Sequence, residues 1–277
     1  EVRFVDIDPG TLGLSSESIA PVLSSKTRAV LPVDFAGQPC DWDAINGALE
    51  SRQVVTIADA AHALGATYKG QPVGSLADMT CFSFHPVKVI TTAEGGMIVT
   101  QSADYAEELK KLRNHGLVRK PEDLKNKKEA FPGANEVGSP APWYYEVQDI
   151  GVNYRMSEMQ CALGLSQLNK LESFINKRRS LASHYTAAFS NSDLFRPPTV
   201  ADGGQSAWHL YVIRLNLPAL STGRREIFEA LRDRGLGVQV HYTPLHLQPY
   251  YRTRYGLERG DFPVAEAYYD EAITLPL

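Results

Sequence analysis

The stretch from Thr80 to Gly96, TCFSFHPVKVITTAEGG, is the most informative part of this sequence. Its first residues are apolar and aromatic, which predicts a buried strand, and Pro86 ends that pattern. One lysine, Lys88, follows in a polar turn. Burial lowers the pKa of a lysine amine and makes it a nucleophile toward carbonyl groups. This stretch alone is equally compatible with a lysine whose ammonium group stays in water at the end of a strand.

A second buried strand is predicted at 54–57 and leads to Asp59, with His62 three residues further on. Carboxyl ends of parallel strands are where open α/β folds bind ligands. A carboxylate there can keep a ring nitrogen protonated, which pyridoxal phosphate needs in order to act as an electron sink. The alternative is that Asp59 caps a helix and that His62 is a hydrogen-bonded core residue.

The chain around these motifs alternates between strand and helix patterns. Strands are predicted at 2–7, 28–34, 53–58, 79–84 and 96–100, and helices at 15–25, 41–51 and 102–114. This alternation predicts an α/β fold with a mostly parallel sheet flanked by helices. Residues 1–156 would form this large domain.

The pattern becomes helical at Ser157, which forms a capping box with Gln160. A long helix is predicted from there, and its basic run at 177–179 is interpreted as a solvated face. A strand at 208–215, a helix at 224–234 and a strand at 238–242 follow. Residues 157–277 would therefore be a linking helix and a smaller C-terminal α/β domain.

Composition excludes several classes of protein. The net charge of −4 leaves no basic excess for binding nucleic acid. No apolar run approaches the length that spans a membrane, so no membrane association is predicted. Three cysteines without a framework spacing indicate a reducing, cytoplasmic location. The histidine and cysteine spacings match no zinc pattern, and no metal is predicted.

Seven motifs carry a resemblance to a known family. They are Pro32–Gly37, Asp59–Ala66, Gly74–Asp78, Ser83–Lys88, Thr92–Gly96, Trp143–Met156 and Val240–His246. In this order they closely resemble the DegT/DnrJ/EryC1/StrS family of sugar aminotransferases, pyridoxal 5'-phosphate enzymes of fold type I that act on nucleotide-linked keto sugars. The resemblance covers essentially all 277 residues. It implies a chain truncated at both ends, without the N-terminal turn that grips the cofactor phosphate and the aromatic that stacks on its ring.

The resemblance implies a role for each matching residue. Lys88 aligns with the catalytic lysine that binds the cofactor aldehyde as a Schiff base and then moves a proton. Asp59 would pair with the ring nitrogen, and His62 would contact the ring face or its phenolic oxygen. Ser83 would bind the phosphate, and so would Asn153 from the neighbouring subunit. The expected protein is a homodimer with shared active sites.

Three further residues are candidates for contact with the sugar-nucleotide substrate. His241 and Tyr242 match positions that line this pocket in the family. His85 is a third candidate, although a histidine before a proline at a strand end can equally serve to satisfy backbone groups.

The substrate prediction comes from a subgroup of the family. The stretch Trp143–Met156 and the helix after it are most similar to the aminotransferases of pseudaminic acid synthesis. The implied reaction moves an amino group from glutamate to C4 of a UDP-linked 4-keto-6-deoxy-N-acetylhexosamine. Alternatives are another nucleotide 4-keto-6-deoxy sugar, of perosamine or 4-amino-arabinose type, or a non-catalytic homologue that binds the cofactor. Lys88 argues against the last of these.

Overall fold

The computed structural model describes residues 1–50, 52–132 and 139–277. The strands are β1 Ala29–Val30, β2 Val55–Asp59, β3 Thr67–Tyr68, β4 Gln71–Pro72, β5 Met79–Ser83, β6 Gly96–Val99, β7 Leu117–Val118, β8 Glu146–Val147, β9 Phe195–Arg196, β10 Gly204–Gln205, β11 Tyr211–Leu215 and β12 Ala272–Leu275. The helices are α1 Ser16–Ile19, α2 Trp42–Leu49, α3 Ala103–Leu112, α4 Lys127–Ala130, α5 Glu158–Leu168, α6 Leu171–Phe189, α7 Arg224–Asp233, α8 Pro249–Tyr255 and α9 Pro263–Glu271. The last position of the helix predicted at 41–51 lies outside the described residues.

The main sheet has the strand order β1-β2-β5-β6. Its first two pairings are parallel and the β5–β6 pairing is antiparallel, which confirms a mostly parallel sheet. The register places Asp59 opposite Cys81. Since β2 and β5 run in the same direction, their carboxyl ends, Asp59 and Ser83, lie at the same edge of the sheet.

The strand predicted at 2–7 is wrong, because no strand begins before residue 29 among the described residues. The side chains of this segment pack on the C-terminal helices instead of joining the sheet. The Phe4 ring lies 5.2 Å from the Tyr251 ring. The Asp6 carboxylate accepts hydrogen bonds of 2.9 Å from the amides of Val264 and Ala265, in the first turn of α9.

The helix predicted from residue 157 begins as expected, with Ser157 and Gln160 forming a capping box. However, it divides into α5 and α6 at residues 169–170. The first half of α6 packs against the core beside the main sheet through Ile175. Its second half packs through Ala182 against a separate core that includes Tyr211. A single helix thus connects the two cores, while the domain boundary at residue 156 stays a prediction.

The C-terminal part contains an antiparallel sheet of order β12-β11-β9. The strand predicted at 238–242 is wrong, since the segment has one bridge, between Gln239 and Thr274, instead of a ladder. Among the described residues, no helix has the length and apolar character needed to cross a bilayer.

Candidate active site

Lys88 lies in the loop that joins β5 to β6. The loop is closed by a 3.0 Å hydrogen bond from the Thr92 amide to the Phe84 carbonyl. The next two residues, Val89 and Ile90, are buried in the core beside the sheet. Apolar anchors therefore fix the backbone of Lys88 at the carboxyl edge of β5.

The Lys88 amine is half-buried, and burial lowers its pKa below the ordinary value, with the charge of Asp59 acting in the opposite direction. Among the described residues it forms no ion pair within 4.0 Å. A larger fraction of this amine is thus neutral near pH 7 than in an exposed lysine. A neutral, unpaired amine can attack a carbonyl carbon.

Asp59 is the last residue of β2, and its side chain is exposed at the sheet edge. Its Oδ1 accepts a 3.0 Å hydrogen bond from the Ala61 amide. A turn rather than a helix follows Asp59, so the alternative that it caps a helix is wrong. Its charge also contributes, after burial, to raising the pKa values of Cys81 and Tyr242. The carboxylate therefore faces a group of residues that includes Lys88 and Tyr242.

His62, three residues after Asp59, is buried. Its Nδ1 accepts a hydrogen bond of 3.3 Å from the Ala36 amide, and its Nε2 lies 3.4 Å from Tyr242 Oη. Burial, followed by the charges of His209, Lys88 and His241, lowers the pKa of His62 to about 2. The ring is therefore neutral at pH 7. Because Nδ1 is an acceptor, the proton is on Nε2 and is donated to Tyr242 Oη.

His241 and Tyr242 reach the same place from the other end of the chain. His241 Nδ1 lies 2.8 Å from Thr274 Oγ1, and the Tyr268 hydroxyl donates a 2.7 Å hydrogen bond to the His241 carbonyl. Burial, with a smaller contribution from Lys88, lowers the pKa of His241. Tyr242 is 49% exposed, so its hydroxyl is open to a ligand.

The remaining predicted residues lie around this cluster. Ser83 ends β5 and accepts a 3.4 Å hydrogen bond from the His85 amide. The exposed His85 ring has its Nε2 4.0 Å from Glu94 Oε1. Asn153 is exposed and forms a bridge with Asn114, and no hydrogen bond in the described part of the chain joins it to Lys88. The structure thus brings together Asp59, His62, Lys88, His241 and Tyr242, whereas roles for Ser83, His85 and Asn153 stay predictions.

The sequence analysis missed His209. This residue is buried, and its ring centroid lies 4.3 Å from that of His62. The sequence predicts a strand at 208–215 that contains His209, whereas the strand of the structure begins at Tyr211. The one available signal was a polar residue within the apolar run AWHLYVI.

The basic run at 177–179 also differs from its prediction as a solvated face. Arg178 donates to the carbonyls of Trp208 and His209 at 3.2 and 3.4 Å, and Arg179 donates to the Ser206 carbonyl at 3.1 Å. These two arginines therefore hold the segment that carries His209, because each guanidinium supplies several donors in a fixed geometry.

The cluster fits pyridoxal phosphate. Lys88 has the lowered pKa that a lysine needs in order to bind an aldehyde. The exposed Asp59 carboxylate has its second oxygen available for a protonated ring nitrogen, since Oδ1 is the atom that accepts from Ala61. The neutral His62 provides a flat surface for an aromatic ring.

Comparison with known proteins gives a consistent result. A family model described as the DegT/DnrJ/EryC1/StrS aminotransferase family matches residues 1–277. The chain is 37% identical to the spore coat polysaccharide biosynthesis protein SpsC of Bacillus subtilis, over 99% of this chain and 68% of that protein. It is 36% identical to the UDP-4-amino-4,6-dideoxy-N-acetyl-beta-L-altrosamine transaminase of Campylobacter jejuni, over 100% of this chain and 68% of that protein. Among solved structures it is similar to Helicobacter pylori PseC, an aminotransferase involved in the biosynthesis of pseudoaminic acid, with a TM-score of 0.86, 30% identity and coverage of 99% of this chain and 67% of PseC.

Proposed function

Because the chain belongs to the DegT/DnrJ/EryC1/StrS family of pyridoxal phosphate-dependent sugar aminotransferases, we propose that it moves an amino group from glutamate to C4 of a UDP-linked 4-keto-6-deoxy-N-acetylhexosamine. The observation that carries this proposal is the half-buried Lys88, whose pKa is lowered by burial, at the same sheet edge as Asp59. The altrosamine transaminase and PseC support this choice of sugar through their names.

Each residue of the cluster has a separate task in this proposal. When bound, pyridoxal phosphate supplies an electron sink for the carbanion formed during amino transfer. Lys88 Nζ would hold the cofactor and, once displaced by the amino donor, would move a proton. The Asp59 carboxylate would hold the proton on the ring nitrogen. The neutral ring of His62 would cover one face of the cofactor and exclude water from it.

A second candidate is amination of another nucleotide-linked 4-keto-6-deoxy sugar. The similarity to SpsC, whose name assigns it to spore coat polysaccharide biosynthesis, favours this candidate. The two candidate reactions share the Lys88 chemistry and differ only in the sugar and the nucleotide of the substrate.

Product analysis distinguishes the two candidates. Protein supplied with pyridoxal phosphate and glutamate is incubated with UDP- and dTDP-linked 4-keto sugars, and the products are identified by mass spectrometry. We expect amination of the UDP-linked 4-keto-6-deoxy-N-acetylhexosamine of L-altro configuration, with isotope from amino-labelled glutamate in the product. The Lys88→Ala variant is the control and should give none. Preferential amination of a different sugar would establish the second candidate.

A segment rich in exposed apolar side chains supports the proposed homodimer. Ten of these side chains lie between residues 143 and 168, and they are Trp143, Tyr145, Val147, Ile150, Val152, Tyr154, Met159, Leu163, Leu165 and Leu168. Ile150 is 99% exposed and Met159 is 83% exposed. Such a concentration of exposed apolar groups marks an interaction surface. Because Asn153 lies within it, we propose that a second copy covers this surface and receives Asn153 at its cofactor phosphate.

Mixing two inactive variants tests this shared site. In a mixed dimer of Lys88→Ala and Asn153→Ala chains, one site carries both changes and the other carries neither. Random exchange makes half of the dimers mixed, so about a quarter of all sites should regain activity, from symmetry alone. The measurement is amino transfer after subunit exchange, with each variant shown beforehand to be impaired by itself.

The matched control mixes Lys88→Ala with Asp59→Ala. Both residues belong to the same chain's site, so every site in a mixed dimer keeps one change and no activity should return. If exchange is demonstrated and the first mixture recovers nothing, Asn153 serves its own chain and the shared-site proposal is wrong.

A further inference from the structure

The ring of His62 is held on three sides. The Ala36 amide donates to its Nδ1, Tyr242 Oη lies beside its Nε2, and the ring of His209 lies against one face. The two histidine rings are inclined by 38° with their centroids 4.3 Å apart. The two hydrogen bonds define which ring nitrogen is protonated. The rings of Phe35 and Tyr242 lie further away, with centroids 6.0 and 6.1 Å from that of His62, so the His209 ring makes the shortest of these ring contacts.

The backbone around His209 is built for this close approach. Gly37 has a φ of 97°, and a Cβ on it would lie 2.8 Å from Trp208 N, 2.9 Å from His209 N and 3.1 Å from His62 O. A side chain at residue 37 would therefore separate the two histidines. The Ala207 amide donates to the Gly37 carbonyl at 2.8 Å, which fixes the crossing of the two segments.

We propose that His209 is a positioning residue for His62. Its ring holds His62 in one plane, with Nδ1 toward Ala36 and the proton on Nε2. His62 then donates to Tyr242 Oη, and the Tyr242 proton is left for an acceptor oxygen of the ligand. This inference rests on the cofactor site proposed above, because it assumes that the opposite face of His62 meets the cofactor ring.

The contact of His209 with His62 uses the face of the ring and not Nδ1. The His209 Nδ1 is fully enclosed and has no hydrogen-bond partner among the described residues. An enclosed nitrogen without a partner costs free energy that a phenylalanine of similar shape would not cost. Burial, followed by the charges of Lys88, Arg178 and His241, lowers the pKa of His209 to about 3. The residue therefore contributes a flat, neutral ring to the stack.

The groups facing His62 determine what happens when the stack is removed. They are His209, Lys88 and His241, whose charges oppose protonation of His62, together with the hydroxyl of Tyr242. Burial is the largest of the causes that lower the His62 pKa. Opening the space occupied by His209 would admit water, and the His62 pKa would then rise toward its ordinary value of about 6.5.

The test compares His209→Ala, which removes the ring, with His209→Phe, which keeps a ring without nitrogen. The seven histidines are labelled with carbon-13 at Cε1, and their resonances are followed from pH ~5 to ~8 in the cofactor-free protein, around the usual histidine pKa. His62→Gln identifies the His62 resonance. We expect it to be unchanged with pH in the unsubstituted protein and in His209→Phe, and to titrate in His209→Ala.

Cofactor affinity, measured by the absorbance change on binding, is the second readout. The His209→Ala variant should bind pyridoxal phosphate about two- to twelvefold more weakly, which corresponds to the loss of one aromatic contact. The His209→Phe variant should stay within about twofold of the unsubstituted protein. If His209→Ala does not fold, His209→Leu keeps the volume without the flat ring and should also weaken binding.

Two results would overturn the inference. One is a His62 resonance that does not titrate in His209→Ala together with unchanged cofactor affinity. The other is a His209→Phe variant that behaves like His209→Ala, which would give the role to the ring nitrogens. Failure of the unsubstituted protein to bind the cofactor would instead reject the proposed function, while the cofactor-free resonances would still decide the role of His209.

Discussion

Replacing Lys88 by alanine should abolish amino transfer. The variant loses the amine that binds the cofactor and also the group that moves the proton, so the rate should fall on the order of 10⁴-fold or more. The fold should be retained, because Val89 and Ile90 anchor the loop and the Lys88 side chain is only half-buried. The measurement is the conversion of the keto sugar under single-turnover conditions.

A chemical test of the same residue uses borohydride, which reduces a lysine-bound cofactor to a stable adduct. The adduct should be recovered on the peptide that contains Lys88. Lys69→Ala is the matched control, since Lys69 is an exposed lysine whose Nζ lies 2.5 Å from Asp43 Oδ2. This control should keep both the activity and the adduct. Recovery of the adduct on any other lysine would contradict the assignment.

Replacing Asp59 by alanine should have the second largest effect. The cofactor can still attach to Lys88, but its ring nitrogen loses the carboxylate that keeps it protonated. Asp59 is exposed at the sheet edge, and a bound cofactor would cover it and make the pair a buried one. Removing one partner of a buried ion pair costs about 3–5 kcal/mol. If this loss falls entirely on the transition state, the half-reaction with glutamate slows about 100- to 5,000-fold. Stopped-flow absorbance of the half-reaction measures this directly.

One further variant of Asp59 separates charge from structure, and a variant of another aspartate is its control. Asp59→Asn keeps the size of the side chain and an oxygen that can accept from the Ala61 amide, so it should be as slow as Asp59→Ala while remaining stably folded. Asp43→Ala changes an exposed aspartate on α2 and should leave the rate unchanged. A normal half-reaction in Asp59→Asn would show that the carboxylate charge is not used.

The parts of the site that sequence could predict are those built by local patterns. Asp59 and Ser83 end short strands whose alternation of buried and half-buried residues is visible in the sequence, and Lys88 follows a proline that ends such a strand. Because the two strands are parallel, the meeting of their carboxyl ends can be predicted without knowing the conformation of the loops. The resemblance to a family then assigned chemistry to these positions.

The contribution of His209 could not be predicted in this way. Its contact with His62 depends on the crossing at Gly37, which joins segments about 170 residues apart. Local pattern contains no information about such a crossing. The partial burial of Arg178 and Arg179 has the same cause, since a basic run on a helix is solvated unless carbonyl groups of another segment reach it.

The two wrong strands have a related explanation. Apolar residues at 2–7 satisfy a strand pattern, but aromatic and helical partners near the other end of the chain compete for them, as the Phe4–Tyr251 contact shows. The segment at 238–242 has one bridge because its backbone and side chains are used to present His241 and Tyr242. Tertiary contacts override local preference at both places.

The hydrogen bonds between Asp6 and α9 can form only after the C-terminal part of the chain has been synthesised. The carboxylate meets amides 258 and 259 residues later in the sequence. At ordinary ribosomal rates those amides are synthesised on the order of 10 to 50 s after Asp6. The main sheet, with Asp59 and Lys88, can form during that interval, whereas α9 and the Tyr268 hydroxyl that holds His241 are synthesised later. Asp59 and Lys88 can thus be in place before Tyr268 supports His241 during synthesis.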